Sequence, residues 1–374
     1  EELLVISDLV YQDASLKVSG SMNADDAGLR DMLVDNLQIG ATHLAGVVSR
    51  TEGKSFAIAV TADSVDARPF IERLTKGGGD RGVMPDFTLD ATAGKLTALG
   101  DVTLRDVVAT ATYENGRWSG GAVEGVFADR GKLNFILEPN AAEATRAEFK
   151  RRFTITSDNA AALARGLGLF DNIQGGTLDF RGLMSEPGAD QLIEGRIRTR
   201  SFRLTEAPVL ARILTIGSLT GIRDLLSGEG IRFDDMSVPF RLEKGIARIK
   251  DARAAGPAIG LTLNGEFSLV NHQAALSGTI VPAYAANSVL GKVPVLGSLL
   301  TGGKGQGVFA LTYDVRGPVD DPQISVNPLA ILTPGFLRGI FESDARLNEA
   351  QRQAPAQSGD DESGAEDAGT DEGE

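Results

Sequence analysis

The sequence predicts a mainly β protein, built as a long antiparallel sheet with a few short apolar helices. Three observations support this prediction: alternation of apolar and polar residues, abundant glycine, and turn signals at short intervals. Glycine accounts for 45 of the 374 residues, about 12% against a usual ~7%, and aromatic residues make up only 6%. This composition suits short strands joined by tight turns.

Residues 1–157 form the first predicted unit, a series of strands punctuated by glycine. Phe56, Ile58 and Val60 alternate with smaller or polar residues, and Asn115-Gly116 marks a tight turn. One short helix is predicted within residues 64–76, where Asp66 is placed to cap its N-terminus. Strands that follow one another without long helices predict antiparallel pairing rather than crossover units.

Residues 158–341 form the second predicted unit, in which helices interrupt the strands. The stretch SDNAAALARGLGLF predicts a helix with Ser157 or Asp158 as its N-cap. The segment at 207–226 predicts a single apolar helix that is buried or lies at an interface. Arg212 and Arg223 leave too short an uncharged run for the ~20 residues that a transmembrane helix needs.

The clearest strand pattern runs from residue 231 to residue 326. Apolar side chains recur at every second position, which gives each strand one apolar and one polar face. The positions that define the apolar face are Val238, Phe240, Leu242, Ile259, Leu261, Leu263, Phe309, Leu311 and Tyr313.

Three arginines share the opposite face of one predicted strand. Arg196, Arg198 and Arg200 alternate with Ile197 and Thr199, so their side chains point outward. Two interpretations stay open: a solvated edge, or contact with a phosphate or lipid headgroup.

Charge and composition exclude several classes of function. The formal net charge is −14, and no dense basic patch is present, which argues against a nucleic-acid partner. Cysteine is absent and histidine occurs only at His43 and His272, so thiolate and multi-histidine metal sites are not expected. The low-complexity acidic segment 342–374 is predicted to be a disordered tail. The first residues lack a signal sequence and an initiator Met, which suggests a fragment or a processed chain.

No motif predicts catalysis or a cofactor. The glycine-rich stretch TGGKGQG at 301–307 lacks the spacing of a phosphate-binding loop, because Gly303 stands where the lysine is required and Gly305 follows Lys304. No nucleophile elbow or zinc-protease motif is present. The sequence therefore predicts a protein that is not an enzyme, with no catalytic residues, metal or cofactor.

From about residue 157 onward the chain resembles the AsmA-like family of bacterial envelope proteins, especially the YhdP- and TamB-related members. The resemblance rests on four stretches: SDNAAALARGLGLFDNIQGGTLDFRG, FRLTEAPVLARILTIGSLTGIRDLLSGEGIRFDDMSVPF, GTIVPAYAANSVLGKVPVLGSLLTGGKGQGVFALTYDVRGPVDDPQISVNP and LAILTPGFLRGIFE. These stretches cover about half of the chain. None of them is a catalytic motif.

The resemblance implies a long antiparallel sheet curled into a groove, located in the periplasm. It also implies an inner-membrane anchor in an N-terminal part missing here, and passage of phospholipid toward the outer membrane. The expected partners are phospholipid acyl chains, the inner and outer membranes, and the missing part of the same chain. The nine residues of the apolar face are then candidates for the lipid-binding wall.

Two alternatives from other functional classes stay open. The first is a structural module, filled by its own side chains, that assists outer-membrane protein assembly without a lipid path. The second is an adhesive or polysaccharide-binding domain, which predicts exposed aromatic platforms. Trp118 is the only tryptophan and tyrosine occurs four times, so this second alternative has little support.

Overall fold

The computed structural model describes residues 3–51, 55–75, 84–140, 148–187, 191–282 and 308–332. Within these ranges it contains eighteen strands in one sheet that does not close on itself. The strands are β1 (Leu4–Gln12), β2 (Leu16–Asp25), β3 (Gly28–Ile39), β4 (Thr42–Arg50), β5 (Phe56–Asp66), β6 (Phe87–Thr97), β7 (Thr103–Glu114), β8 (Arg117–Phe127), β9 (Lys132–Pro139), β10 (Arg151–Ser157), β11 (Ile173–Met184), β12 (Leu192–Leu204), β13 (Ile231–Glu243), β14 (Ile246–Ala255), β15 (Ile259–Ser268), β16 (Gln273–Pro282), β17 (Val308–Pro318) and β18 (Gln323–Leu332).

Each strand pairs with the next strand in the chain, from β1 to β18. The registers show antiparallel pairing at every junction except one. The exception is β5 with β6, which run parallel, for example at Ile58 and Leu89. The predicted mainly β, antiparallel, curled sheet is therefore confirmed, with one crossover that the sequence pattern did not predict.

Register shifts bend the sheet along its length. They occur between β1 and β2, β2 and β3, β3 and β4, and β4 and β5, and again in β7–β8, β13–β14, β14–β15 and β17–β18. A bulge places one extra residue in one strand, which increases the local twist and turns the strand out of plane. Repeated bulges thus give the long sheet its curl.

Four short helices lie between strands: α1 (Arg68–Thr75), α2 (Ala160–Gly166), α3 (Pro208–Ile216) and α4 (Thr220–Ser227). Helix α1 forms the crossover from β5 to β6. The Asp66 carboxylate accepts a hydrogen bond from the backbone N of Arg68 at 3.1 Å, as expected of a residue that caps this helix. The N-cap of α2 is Asn159, whose Oδ1 accepts from the backbone N of Ala162 at 2.8 Å, so the prediction of Ser157 or Asp158 was wrong.

The predicted single helix at 207–226 is two helices. The chain leaves α3 at Gly217, and Ser218 adopts a left-handed conformation with φ of 59°. Helix α4 then starts in a new direction, which lets both helices press apolar residues onto the same face of the sheet. The sequence pattern missed this break because both halves are apolar around most of their circumference.

Two apolar cores form on this one face. The first gathers residues of β5 to β11 beneath α1 and α2, and includes Ala62, Val102 and Leu163. The second gathers residues of β12 to β18 beneath α3 and α4, and includes Phe233, Ile280 and Leu311. Hydrogen bonding is continuous across residue 157, because β10 pairs with both β9 and β11.

The proposed division into units at 1–157 and 158–341 stays a prediction. The acidic segment 342–374 lies outside the described residues, as do the glycine-rich stretch at 301–307 and most of the apolar segment that precedes it.

Candidate functional site

One row of directly paired residues crosses all eighteen strands, and every member is apolar or glycine. We call this row the apolar lane. Because neighbouring strands lie about 4.8 Å apart, the lane follows the sheet for ~80 Å. Its members, from β1 to β18, are Ile6, Met22, Met32, Val48, Ile58, Leu89, Ala111, Gly121, Leu137, Phe153, Gly182, Gly195, Phe240, Ile249, Gly265, Leu276, Val315 and Ile324.

The lane is half-buried over most of its length. Leu137, Phe153, Gly182 and Val315 are buried, whereas the other fourteen members are of intermediate exposure. A surface of this kind differs from a closed core, in which the central side chains lose all contact with solvent. The lane therefore keeps apolar area that a further apolar group can cover.

The neighbouring row, one residue away on each strand, points to the opposite face. Between β9 and β15 six of its seven members are charged: it contains Glu138, Arg152, Leu183, Glu194, Arg241, Arg248 and Glu266. These side chains pair across strands, for example Arg152 Nε with Glu138 Oε1 at 2.7 Å. The alternation predicted from the sequence thus separates an apolar face from a charged one.

Aromatic rings widen the lane in its middle. The rings of Phe153 and Phe180 meet edge to face at 4.9 Å between centroids, and Phe180 meets Phe240 at 5.7 Å. Glycine makes room for them: a Cβ at Gly182 would lie 2.5 Å from Cζ of Phe153. At Gly195 a Cβ would lie 3.2 Å from Cε1 of Phe240. These two glycines let the rings lie over the backbone of the neighbouring strand.

Helices α3 and α4 lie in the connection between β12 and β13. Beside the lane, they cover the part of the apolar face that lies at that end of the strands. Ile259, Ile280 and Leu311 are fully buried there, and a Cβ added at Gly217, the C-cap of α3, would lie 2.4 Å from Cδ1 of Leu311. This part of the interior is filled by the protein's own side chains. The apolar face therefore has a helix-covered zone and a half-open lane.

The register places eight of the nine sequence-predicted wall residues on one face, but at different depths. Phe240 lies in the lane, and Leu242 and Val238 lie one row to either side of it. Leu263 and Tyr313 share one row through Gly278, while Leu261 and Leu311 lie one row nearer the helices. Ile259 lies at the helix-covered end, fully buried. Phe309 pairs with Ile331, and its side chain lies outside the described part of the structure.

Tyr313 is held as a core residue. Its hydroxyl donates to the backbone carbonyl oxygen of Thr262 at 2.8 Å, and a Cβ at Gly278 would lie 2.5 Å from the same hydroxyl. Burial raises the pKa of the Tyr313 phenol well above its ordinary value of 10.0, so the group stays neutral in the folded chain. Tyr313 therefore contributes an apolar ring to this face and no charge.

The alternation in the sequence does not reveal most of the lane residues of the first nine strands. Met22, Met32, Ile58 and Leu89 belong to the lane, and of these four only Ile58 stands in a clear alternation. Their strands contain mixed small and polar residues, so the apolar face becomes visible only when the registers are known. Arg151 was also missed, because nothing in the sequence distinguishes it from the exposed Arg152.

Arg151 is a buried cation on the apolar face. It is the first residue of β10 and lies at the ends of the strands that are farther from the helices. Only 6% of it is exposed, and its guanidinium donates to Trp118 O at 2.8 Å and to Ser185 O at 3.0 Å. Desolvation lowers the pKa of this guanidinium, and the nearby Glu186 carboxylate acts in the opposite direction. Arg151 thereby connects the start of β8 with the turn after β11.

In the described ranges, no three histidine, aspartate or glutamate side chains lie close enough to hold a metal ion. None of the described helices is both long and apolar enough to cross a membrane. The adjacent acids Asp234 and Asp235 on β13 are each near an arginine: Asp234 pairs with Arg232 at 3.0 Å, and Asp235 with Arg200 at 3.6 Å.

The chain is similar in part to a curated protein, the intermembrane phospholipid transporter YhdP of Escherichia coli (strain K12). The two are 26% identical over an alignment of 131 residues that covers 31% of this chain and 10% of YhdP. The similarity supports a relationship to YhdP-type proteins over that stretch, and the match spans only about a tenth of the relative's length. No family profile matches the chain, and no solved structure matches it.

Proposed function

We propose that this chain binds phospholipid acyl chains along the apolar lane and carries phospholipid between the inner and outer membranes. The observation that carries the proposal is the unbroken lane, which crosses eighteen strands without a charged side chain and stays half-buried over most of its length. The partial similarity to an intermembrane phospholipid transporter supports the same class of cargo. The periplasm is the compartment that fits this role.

Burial of hydrocarbon supplies the binding energy. Each CH₂ group contributes about 0.8 kcal/mol, so two long acyl chains contribute on the order of 20 kcal/mol before losses from immobilisation. Because every strand contributes an apolar residue or a glycine to the lane, a bound acyl chain meets no charged group along its length. Lipid can then move along the sheet, and no catalytic group is needed.

A second candidate function is favoured by a different observation. Ile259, Ile280 and Leu311 are fully buried beneath α3 and α4, which is the filled interior expected of a structural module. Such a module would support outer-membrane protein assembly without a lipid path. The half-buried lane favours the first function, since a filled module has no need of an apolar row that its own side chains leave partly uncovered.

Replacement of a central lane residue tests the proposal. We expect Phe240→Asp to remove most co-purifying phospholipid, because it places a carboxylate beside Phe180 and Ile249. The matched control is Ile136→Asp, which introduces the same charge at a 37% exposed position next to the lane residue Leu137 on β9. The measurement is native mass spectrometry of the purified chain, followed by lipid extraction.

Circular dichroism establishes that each variant is folded, and Leu89→Asp on β6 repeats the test in the other half of the sheet. Loss of lipid from both lane variants, with retention in Ile136→Asp, supports transport along the lane. A folded, lipid-free parent chain, or lipid that is unaffected by both lane variants, favours the structural module.

A further inference from the structure

The charged face of the sheet contains a depression of about 870 Å³ on β9 to β14. The backbones of Gly182 and Gly195, which pair directly, form part of its lining. Six cationic side chains surround it, while Glu138 and Glu194 are the acidic residues of the lining. The six are Arg152, Arg181, Arg196, Arg241, Arg248 and Lys250.

Like charges face each other across this depression. Arg181 lies directly opposite Arg196 on β11 and β12, and Arg241 lies directly opposite Arg248 on β13 and β14. Directly opposed like charges in a sheet are destabilising. In a chain with a formal charge of −14, two such pairs at one depression are a local concentration of positive charge.

Neighbouring acids neutralise four of the six cations. Arg152 pairs with Glu138 at 2.7 Å, and Arg241 pairs with Glu194 at 3.4 Å. From outside the lining, Asp179 pairs with Arg181 at 2.7 Å and Glu266 with Arg248 at 2.8 Å.

The remaining two cations, Arg196 and Lys250, have no ion-pair partner among the residues that the structure describes. Both are exposed. Their side chains are therefore available to a ligand.

We propose that this depression binds a phosphate group, with Arg196 and Lys250 as its principal ligands. A guanidinium binds phosphate oxygens through two parallel hydrogen bonds, and an ammonium adds a mobile point charge. The cationic side chains lie on the face opposite to the apolar lane, and the lane residues Phe153, Gly182, Gly195 and Phe240 also contribute to the lining of the depression. Phosphate chemistry is shared by lipid headgroups and by soluble phosphate esters, and the experiment separates these two sources.

Binding is measured with two probes at low ionic strength, where exposed charges are least screened. The soluble probe is sn-glycerol 3-phosphate, followed by calorimetry. The membrane probe is a vesicle of equal parts phosphatidylcholine and phosphatidylglycerol, followed by flotation, with pure phosphatidylcholine vesicles as the reference. The double variant is Arg196→Gln with Lys250→Gln.

The control double variant is Arg316→Gln with Lys132→Gln, which removes the same charges from exposed positions outside the depression. We expect the Arg196–Lys250 variant to lose about tenfold in affinity, equivalent to about 1.4 kcal/mol, while the control changes less than twofold.

Binding of glycerol phosphate assigns the site to a soluble ester, and binding of phosphatidylglycerol vesicles alone assigns it to a membrane surface. The proposal is overturned if the parent chain binds neither probe. It is equally overturned if both double variants lose affinity to the same extent, since the effect then follows net charge rather than this depression.

Discussion

Leu311→Ala should destabilise the fold by about 2–5 kcal/mol, the range found for Leu→Ala at fully buried sites. Leu311 is completely buried, and it lies against Gly217 at the end of α3. Removal of its isobutyl group leaves a cavity between the sheet and the helix. The backbone at Gly217 already lies close to the sheet, so the helix has little freedom to settle into that cavity.

The measurement is urea unfolding followed by circular dichroism, together with hydrogen exchange resolved by peptides. The sheet is long and each strand contacts mainly its neighbours, so we expect lost protection to be concentrated in α3, α4 and β15 to β17. Leu269→Ala is the matched control, because Leu269 is 50% exposed in the turn before β16. Equal effects of the two substitutions would contradict a filled interior beneath α3.

Arg151→Ala should cost about 2–4 kcal/mol, because it leaves two carbonyl oxygens without their charged donor and removes a buried side chain. Those oxygens belong to Trp118 and Ser185, on segments far apart in the chain. The expected loss comes from desolvation of the carbonyls and from the cavity. We expect Arg151→Lys to recover only part of the stability, since one ammonium does not reproduce the two separated donors of the guanidinium.

Arg152→Ala provides a matched control within the same strand. Arg152 is the next residue, points to the charged face and forms an exposed ion pair with Glu138. Exposed ion pairs contribute about 0–1 kcal/mol, so we expect a small change. The comparison uses urea denaturation with the fluorescence of Trp118 as the signal. A loss at Arg152 as large as that at Arg151 would show that the buried contacts of Arg151 are not its source of stability.

The fold class and the separation of faces were predictable from the sequence, because strand alternation is a local property. Val238, Phe240 and Leu242 show it clearly, and the structure places all three on the apolar face. The parallel pairing of β5 with β6 was not predictable, because a short helix and a glycine-rich stretch are compatible with a return in either direction. The break at Gly217 was hidden for a similar reason, since α3 and α4 form one continuous apolar pattern.

The lane could be predicted only in part. Phe240 was among the sequence candidates, whereas Gly182, Gly195 and Gly265 are lane members that no apolar pattern reveals. Gly182 and Gly195 contribute to the lane because they have no side chain. The ring of Phe153 can therefore lie over Gly182, and the ring of Phe240 over Gly195. Conversely, Ile259 and Leu311 had the same pattern as Phe240 and lie under the helices. Burial depth depends on where α3 and α4 pack, which the alternation of a single strand does not report.

The two faces of the sheet place different demands on a ligand. The apolar lane suits hydrocarbon, and the depression with Arg196 and Lys250 suits phosphate. Leu89 lies in the lane on β6, outside the depression, whereas Phe240 contributes to the lining of both. The variants Leu89→Asp and Arg196→Gln with Lys250→Gln therefore form independent tests of acyl-chain binding and phosphate binding.

The most direct test of the central claim is site-specific photo-crosslinking along the apolar lane in the full chain. A photoreactive residue replaces Met32, Leu89, Leu276 or Ile324, which span β3 to β18. In parallel it replaces the adjacent residue on the opposite face, at Asp31, Thr88, Ser277 or Ser325, all of which lie outside the depression. Mass spectrometry then identifies any lipid adduct.

The account predicts phospholipid adducts at all four lane positions and none at the four neighbouring positions. Adducts of equal yield on both faces, or their absence from the lane positions, would contradict lipid binding along the lane.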